Sequence, residues 1–215
     1  KKELPDDFYE KRKIGENDGE ICQLIQKDLI KEFIIYVNKN DYPVNSTINQ
    51  SIYETNGFFI KRGNIKLIEY AVFFGSLQIF NYLRQNGAEL LPSLWIFAVH
   101  GKNEEIIHFL EDNKIITSNI DSYFDNVSFE QIFYESIKCH HIDIANYIES
   151  NYLQNEQKYS NDAIINCIKY YNFIFMQFNN IDETLFCYLC KYDYYLLVLN
   201  LFKKIDLDIN KKLIS

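Results

Sequence analysis

Apolar residues recur along this chain with the period of helices. The plainest stretch runs Leu67-Ile68-Glu69-Tyr70-Ala71-Val72-Phe73-Phe74-Gly75 and continues Ser76-Leu77-Gln78-Ile79-Phe80-Asn81-Tyr82-Leu83-Arg84-Gln85-Asn86-Gly87-Ala88. Apolar residues at 68, 71 and 72, then at 79, 80 and 83, mark one face of each of two helices on either side of Gly75. Gly87 follows the second pattern, where a helix end favours a left-handed residue. The pattern predicts a helix, a tight turn at Gly75 and an antiparallel second helix.

The same register recurs along the chain. Aligning second helices on Ile79 gives the anchors Phe33, Ile79, Ile106, Ile144, Phe175 and Leu197, at intervals of 46, 27, 38, 31 and 22 residues that average about 33. Eight residues before each anchor stand Ile25, Ala71, Ala98, Ser136, Cys167 and Leu189. The central four are small, which lets the two helices of a pair approach closely. Four residues after each anchor stand Val37, Leu83, Leu110, Ile148, Asn179 and Leu201, all aliphatic but one. The turn position, four before each anchor, reads Leu29, Gly75, Lys102, His140, Tyr171 and Asp193. A single glycine there predicts degenerate units with loops of unequal length.

Residues 45–63 fit no unit, and Ser51-Ile52-Tyr53-Glu54 is expected to add an extra helix. Residues 113–127 read as a polar, exposed connection. The expected organisation is an N-terminal extension over 1–18 and one degenerate repeat array over 19–215. The fold class expected is all-α, five to six helix pairs stacked as a solenoid, with modest β-hairpin fingers at most.

Composition adds an aromatic core, from seventeen Tyr and seventeen Phe, and few turns, from seven Gly and three Pro. The net charge of −8 offers no electrostatic footprint for phosphate backbones, so no nucleic-acid partner is expected. No run approaches the roughly 20 apolar residues that span a bilayer. The longest, from Tyr192 to Phe202, is broken by Asp193 and Asn200. Cysteines at 22, 139, 167, 187 and 190 form no disulfide framework. Reduced thiols and a cytoplasmic location are the expectation.

At Leu67–Leu90 and Leu94–Asn113 the sequence resembles ankyrin repeats, whose period is about 33 residues. More narrowly, it resembles the divergent ankyrin-repeat proteins expanded in trichomonad protists, whose N-terminal part is a domain of unknown function. The strings that carry the likeness are Ser51-Ile52-Tyr53-Glu54-Thr55-Asn56, Leu67 to Ser76, Ser93-Leu94-Trp95-Ile96-Phe97-Ala98-Val99-His100-Gly101, and Cys187 to Tyr195. The resemblance implies an ankyrin-like stack, no catalytic residues and protein–protein binding. The usual helix-opening Thr-Pro-Leu-His is replaced by Lys66-Leu67-Ile68-Glu69 and Ser93-Leu94-Trp95-Ile96. Asp206-Leu207-Asp208-Ile209-Asn210 looks like a finger opening onto a further unit, so the expected chain is a fragment whose array continues beyond 215.

Chemistry-bearing motifs are few. Cys187-x-x-Cys190 is half a zinc site or a redox pair. No second C-x-x-C or H-x₃₋₅-H completes it, and no βαβ pattern adjoins it. The register places Cys190 at a small buried position and Cys187 one turn earlier, so two packed thiols are expected. Cys139-His140-His141 could offer ligands, but adjacent helical residues project about 100° apart. Phosphate-loop, dinucleotide, hydrolase and zincin signatures are missing. The expectation is therefore a non-catalytic module that binds another protein without cofactor. A metal or thiol site built on Cys187, Cys190, Cys139 and His140 is the alternative, and a purely structural spacer the third reading.

Repeat stacks bind partners on a concave face built from fingers and inner helices. On that ground Phe73, Phe74, Glu89, Tyr170 and Tyr192 are expected to line part of the partner surface. Trp95, aligned with core Ile68, is assigned to packing.

Overall fold

Narrow apolar stripes of eight or nine residues cannot hold a helix in water alone, so each stripe needs a neighbour to bury it. A computed structural model of the chain describes residues 4–115, 127–153, 160–176 and 183–202. Among these are thirteen helices and no strand; the only pairing of extended backbone is an isolated bridge between Thr47 and Lys66. The chain divides into two compact units, 1–127 and 128–215.

The first unit holds α1 (Phe8–Ile14), α2 (Glu20–Gln26), α3 (Ile30–Lys39), α4 (Gly57–Arg62), α5 (Leu67–Phe73), α6 (Leu77–Gln85), α7 (Leu94–Gly101) and α8 (Glu104–Asp112). Helices α2/α3, α5/α6 and α7/α8 are helix–turn–helix pairs; α2 packs on α5, α5 on α7, and α3 on α6. The second unit holds α9 (Phe129–Lys138), α10 (Ile142–Tyr152), α11 (Asn161–Lys169), α12 (Glu183–Lys191) and α13 (Tyr195–Phe202). There α9/α10 and α12/α13 are paired, and α11 packs against both α9 and α12. The six positions eight residues before the anchors, Ile25 to Leu189, are each no more than 2% exposed.

The turns that follow the first helix of each unit share one chemistry. Asp28, Gly75, Lys102, His140, Tyr171 and Asp193 all take left-handed backbone, with φ between 49° and 66°. In five of them the following N–H reaches the carbonyl five residues back: Leu29 to Leu24, Ser76 to Ala71, His141 to Ser136, Asn172 to Cys167, and Tyr194 to Leu189, at 2.9–3.0 Å. These Schellman closures satisfy carbonyls that a helix end leaves bare. They offset a left-handed backbone that costs a side-chain-bearing residue about 1–2 kcal/mol. Five of the six turns do without glycine, and four of those five carry this closure. The first turn centres on Asp28 instead of the expected Leu29, because an aspartate tolerates this conformation better and its carboxylate has a use there.

After four of these turns the next residue ties its unit to the helices before it. Ser76 Oγ donates to the Ile25 carbonyl at 2.5 Å, and Asn103 Nδ2 to the Gly75 carbonyl at 3.1 Å. Asn172 Nδ2 donates to the Ile137 carbonyl at 3.0 Å, and the Tyr194 hydroxyl to the Ile168 carbonyl at 2.5 Å. The Asp28 carboxylate accepts the N–H groups of Gln78 and Ile79, each at 3.0 Å, and so caps α6 from the neighbouring pair.

Several expectations need correcting. Ser51 to Glu54 form a turn, since Ser51 Oγ accepts the Tyr53 N–H and Glu54 Oε1 the Asn56 N–H, bonds that compete with a helix ladder. The extra helix is α4, which begins three residues after Glu54 and is capped by Asn56. The N-terminal extension contains α1. Phe175 is buried, but residues 173–176 make a turn and not a helix. Ile144 is half-buried, and Ala145 and Ile148 carry the buried stripe of α10. Asn179, residues 116–126 of the polar connection, and Asp206 to Asn210 lie outside the described residues.

Candidate functional site

Phe73 ends α5 and Phe74 is its C-cap, both half-buried in an aromatic cluster within the first unit. Phe59 of α4 packs on Phe73 at 4.3 Å between ring centroids, Phe73 stacks on His100 at 4.6 Å, and Tyr70 meets Phe74 at 4.8 Å. The Arg62 guanidinium lies over the Phe58 and Phe97 rings at 4.7 and 4.9 Å. The 45–63 insertion thus lays its helix across the end of α5, using aromatic area to hold a six-residue helix that has little stability of its own. Glu89 is exposed in the connection that follows α6. Its carboxylate pairs with Lys66 Nζ at 2.6 Å, and its N–H donates to Asn45 Oδ1. Trp95 is 2% exposed within α7.

In the second unit Tyr170 is half-buried beneath the Lys169 ammonium, 5.1 Å from its ring. Tyr192 is half-buried and stacks on Tyr188 at 6.4 Å, with Lys191 over both rings. The register also marks residues that were not anticipated. The position just before each anchor is exposed in every unit and holds Glu32, Gln78, Glu105 and Asp143 in the first four. In the last two it holds Ile174 and Leu196, which are 61% and 73% exposed. Tyr171 and Tyr195 are exposed beside them, and Tyr171 meets Tyr194 at 5.4 Å. Apolar residues at a site that is polar in four preceding units were the available sign of this patch. Isolated exposed aliphatics are ordinary, and it is their recurrence at one register position that sets these two units apart.

The thiols divide by burial. Cys22 and Cys167 are buried, and desolvation pushes each up to about 12. Cys190, expected to be packed, is exposed, because Leu189 takes the buried position and the helical step turns Cys190 away from it. Burial, then the neighbouring Cys187, raises the Cys190 pKa. Cys187 is half-buried and His140 exposed on its turn. Among the described residues, Cys187, Cys190, Cys139 and His140 do not converge as a group able to hold one ion. No described helix is long and apolar enough to cross a membrane. In comparisons with family models, with curated proteins and with solved structures, nothing matches this chain.

Proposed function

We propose that this chain is a non-catalytic protein-interaction module, an ankyrin-like helical-repeat solenoid that binds a protein partner through exposed apolar residues of its second unit. The recurring left-handed turns, and the bonds that four of them make to the preceding helices, support the repeat reading, because they recur at fixed register positions. The observation that carries the binding role is the replacement of Glu32, Gln78, Glu105 and Asp143 by Ile174 and Leu196 at one exposed position. Large apolar side chains left in water forgo about 1.5–3 kcal/mol each that burial against a partner would recover. Tyrosines such as Tyr170, Tyr171, Tyr192 and Tyr195 beside them add rigid amphipathic area of the kind enriched at hot spots. Phe73, Phe74 and Glu89 belong to a second surface, on the first unit, where α4 covers part of the aromatic face.

The test is affinity capture from native cell extract with three proteins: the parent, Ile174→Glu/Leu196→Glu, and Phe74→Ala/Tyr170→Ala/Tyr192→Ala, all with matching circular dichroism. A partner held by the parent and lost with Ile174→Glu/Leu196→Glu supports the reading. Loss only in the Phe74 variant moves the surface to the originally expected residues. A set of retained proteins identical for all three refutes both surfaces.

A further inference from the structure

Two of the five thiols share one helix and reach its surface. Cys187 and Cys190 lie three residues apart on α12, Cys190 exposed and Cys187 half-buried, and neither is in a disulfide. Cys22 and Cys167 are buried, and Cys139 caps the end of α9. The helical step brings residues at i and i+3 onto one face, with Cβ atoms about 5–6 Å apart. This spacing decides what the pair can do. A disulfide needs Cβ atoms about 3.5–4.5 Å apart, so closing one would distort the last turn of α12. That turn carries buried Leu189, whose carbonyl accepts the Tyr194 N–H at 2.9 Å where α13 begins. An ion bridging the sulfurs asks for no such distortion. Metal–thiolate bonds of about 2.3 Å each span sulfurs about 4–5 Å apart, a distance the two side chains reach by choice of χ1 rotamer.

The donor set then selects the ion. Thiolates favour Cu(I), zinc and iron–sulfur clusters. Structural zinc takes four ligands, and the clusters are held by four cysteines. Among the described residues, no third histidine, cysteine or carboxylate joins Cys187 and Cys190 within reach of one ion. Cu(I) is the ion of this group that two thiolates in line satisfy.

We propose that Cys187 and Cys190 clamp one Cu(I) ion between successive turns of α12. Each thiol releases its proton to solvent as its sulfur binds, and the copper keeps its oxidation state. The site goes beyond the protein-binding reading above and uses neither Ile174 nor Leu196.

The test supplies Cu(I), as its acetonitrile complex and without oxygen, to the reduced full chain in competition with bicinchoninate. The coloured bicinchoninate complex reports how much copper the protein withdraws. The parent should withdraw one equivalent. Cys187→Ser and Cys190→Ser should each weaken binding by about tenfold or more with circular dichroism unchanged, and Cys139→Ser should leave it intact. Cys190→Ser/Lys191→Cys returns a second thiol at i+4 from Cys187, on the same face, and should restore binding. A merely structural effect of losing Cys190 would not be reversed in this way. Zinc, offered against a chromophoric zinc chelator, should stay with the chelator. Copper left with bicinchoninate by the parent, copper held equally by the serine variants, or zinc retained by the protein would overturn the proposal. Binding that survives Cys187→Ser, with one ion shared by two chains, would place the copper between exposed Cys190 side chains and overturn it too.

Discussion

Replacing Gly101 by alanine probes how closely α5 and α7 approach. A methyl at this position would run into the Val72 carbonyl oxygen and lie 2.9 and 3.2 Å from the Gly75 nitrogen and Cα. Conversely, a Cβ on Gly75 would lie 2.7 Å from the Gly101 carbonyl oxygen. These neighbours are backbone atoms, so no rotamer change relieves the overlap, and the helices must shift apart by on the order of 1 Å. Overpacking of this kind costs about 1–3 kcal/mol. Alanine returns about 0.5–1 kcal/mol of helix propensity. The expected net loss is about 1–2 kcal/mol. Urea unfolding followed by the fluorescence of Trp95 reads it directly, because this sole tryptophan is buried on the same helix. The comparison is Gly57→Ala in α4, where an added Cβ meets nothing within 4 Å; it should be neutral or stabilising by up to about 1 kcal/mol. A Gly101→Ala protein as stable as Gly57→Ala would refute the close backbone approach.

Asp28→Ala removes the carboxylate that caps α6 and should cost about 0.5–2 kcal/mol in the same assay, with Asp28→Asn losing less. Alkali should destabilise the first unit through Cys22. Its folded value of about 12 lies above the ordinary value of about 8.5, so the folded state keeps a proton that the unfolded chain releases. That share of stability is complete below about pH 8.5 and falls by about 1.4 kcal/mol per pH unit as pH climbs toward the folded value. Cys22→Ala should flatten the dependence by that amount, as measured by urea midpoints at a series of alkaline pH values. Under native conditions at about pH 8, iodoacetamide should modify Cys190 well before Cys22 or Cys167, as peptide mass spectrometry would record. Prompt labelling of Cys167 would contradict its burial.

The buried framework was legible in the sequence because burial is periodic. The position held by Ala71, Ala98, Ser136 and Cys167 has to be small and apolar enough for a close helix pair, and the residue types say so. The turn positions were legible by spacing but not by composition. Left-handed backbone at Lys102, His140, Tyr171 and Asp193 closes the helices that end there, and these side chains carry no local sign of it. A second recurrence is carried by asparagine. Asn40, Asn86, Asn113 and Asn151, each seven residues after its anchor, cap the second helices by donating Nδ2 at 2.8 Å to the carbonyls of Tyr36, Tyr82, Phe109 and Tyr147. Asparagine is common in loops, so its fixed register carried the signal where its presence did not. The site was less legible than the fold. Aromatics before three of the turns were visible, but that α4 would lie across Phe73 and Phe74 depends on contacts between residues distant in sequence.

A photo-reactive benzoylphenylalanine at Leu196, with the same group at Glu105 as its register-matched polar counterpart, tests the binding role most directly. Irradiation in native cell extract should join one protein covalently to the Leu196 variant, at least tenfold above the yield at Glu105. Equal adducts at the two positions, or none at Leu196, would contradict the assignment of this face to partner binding.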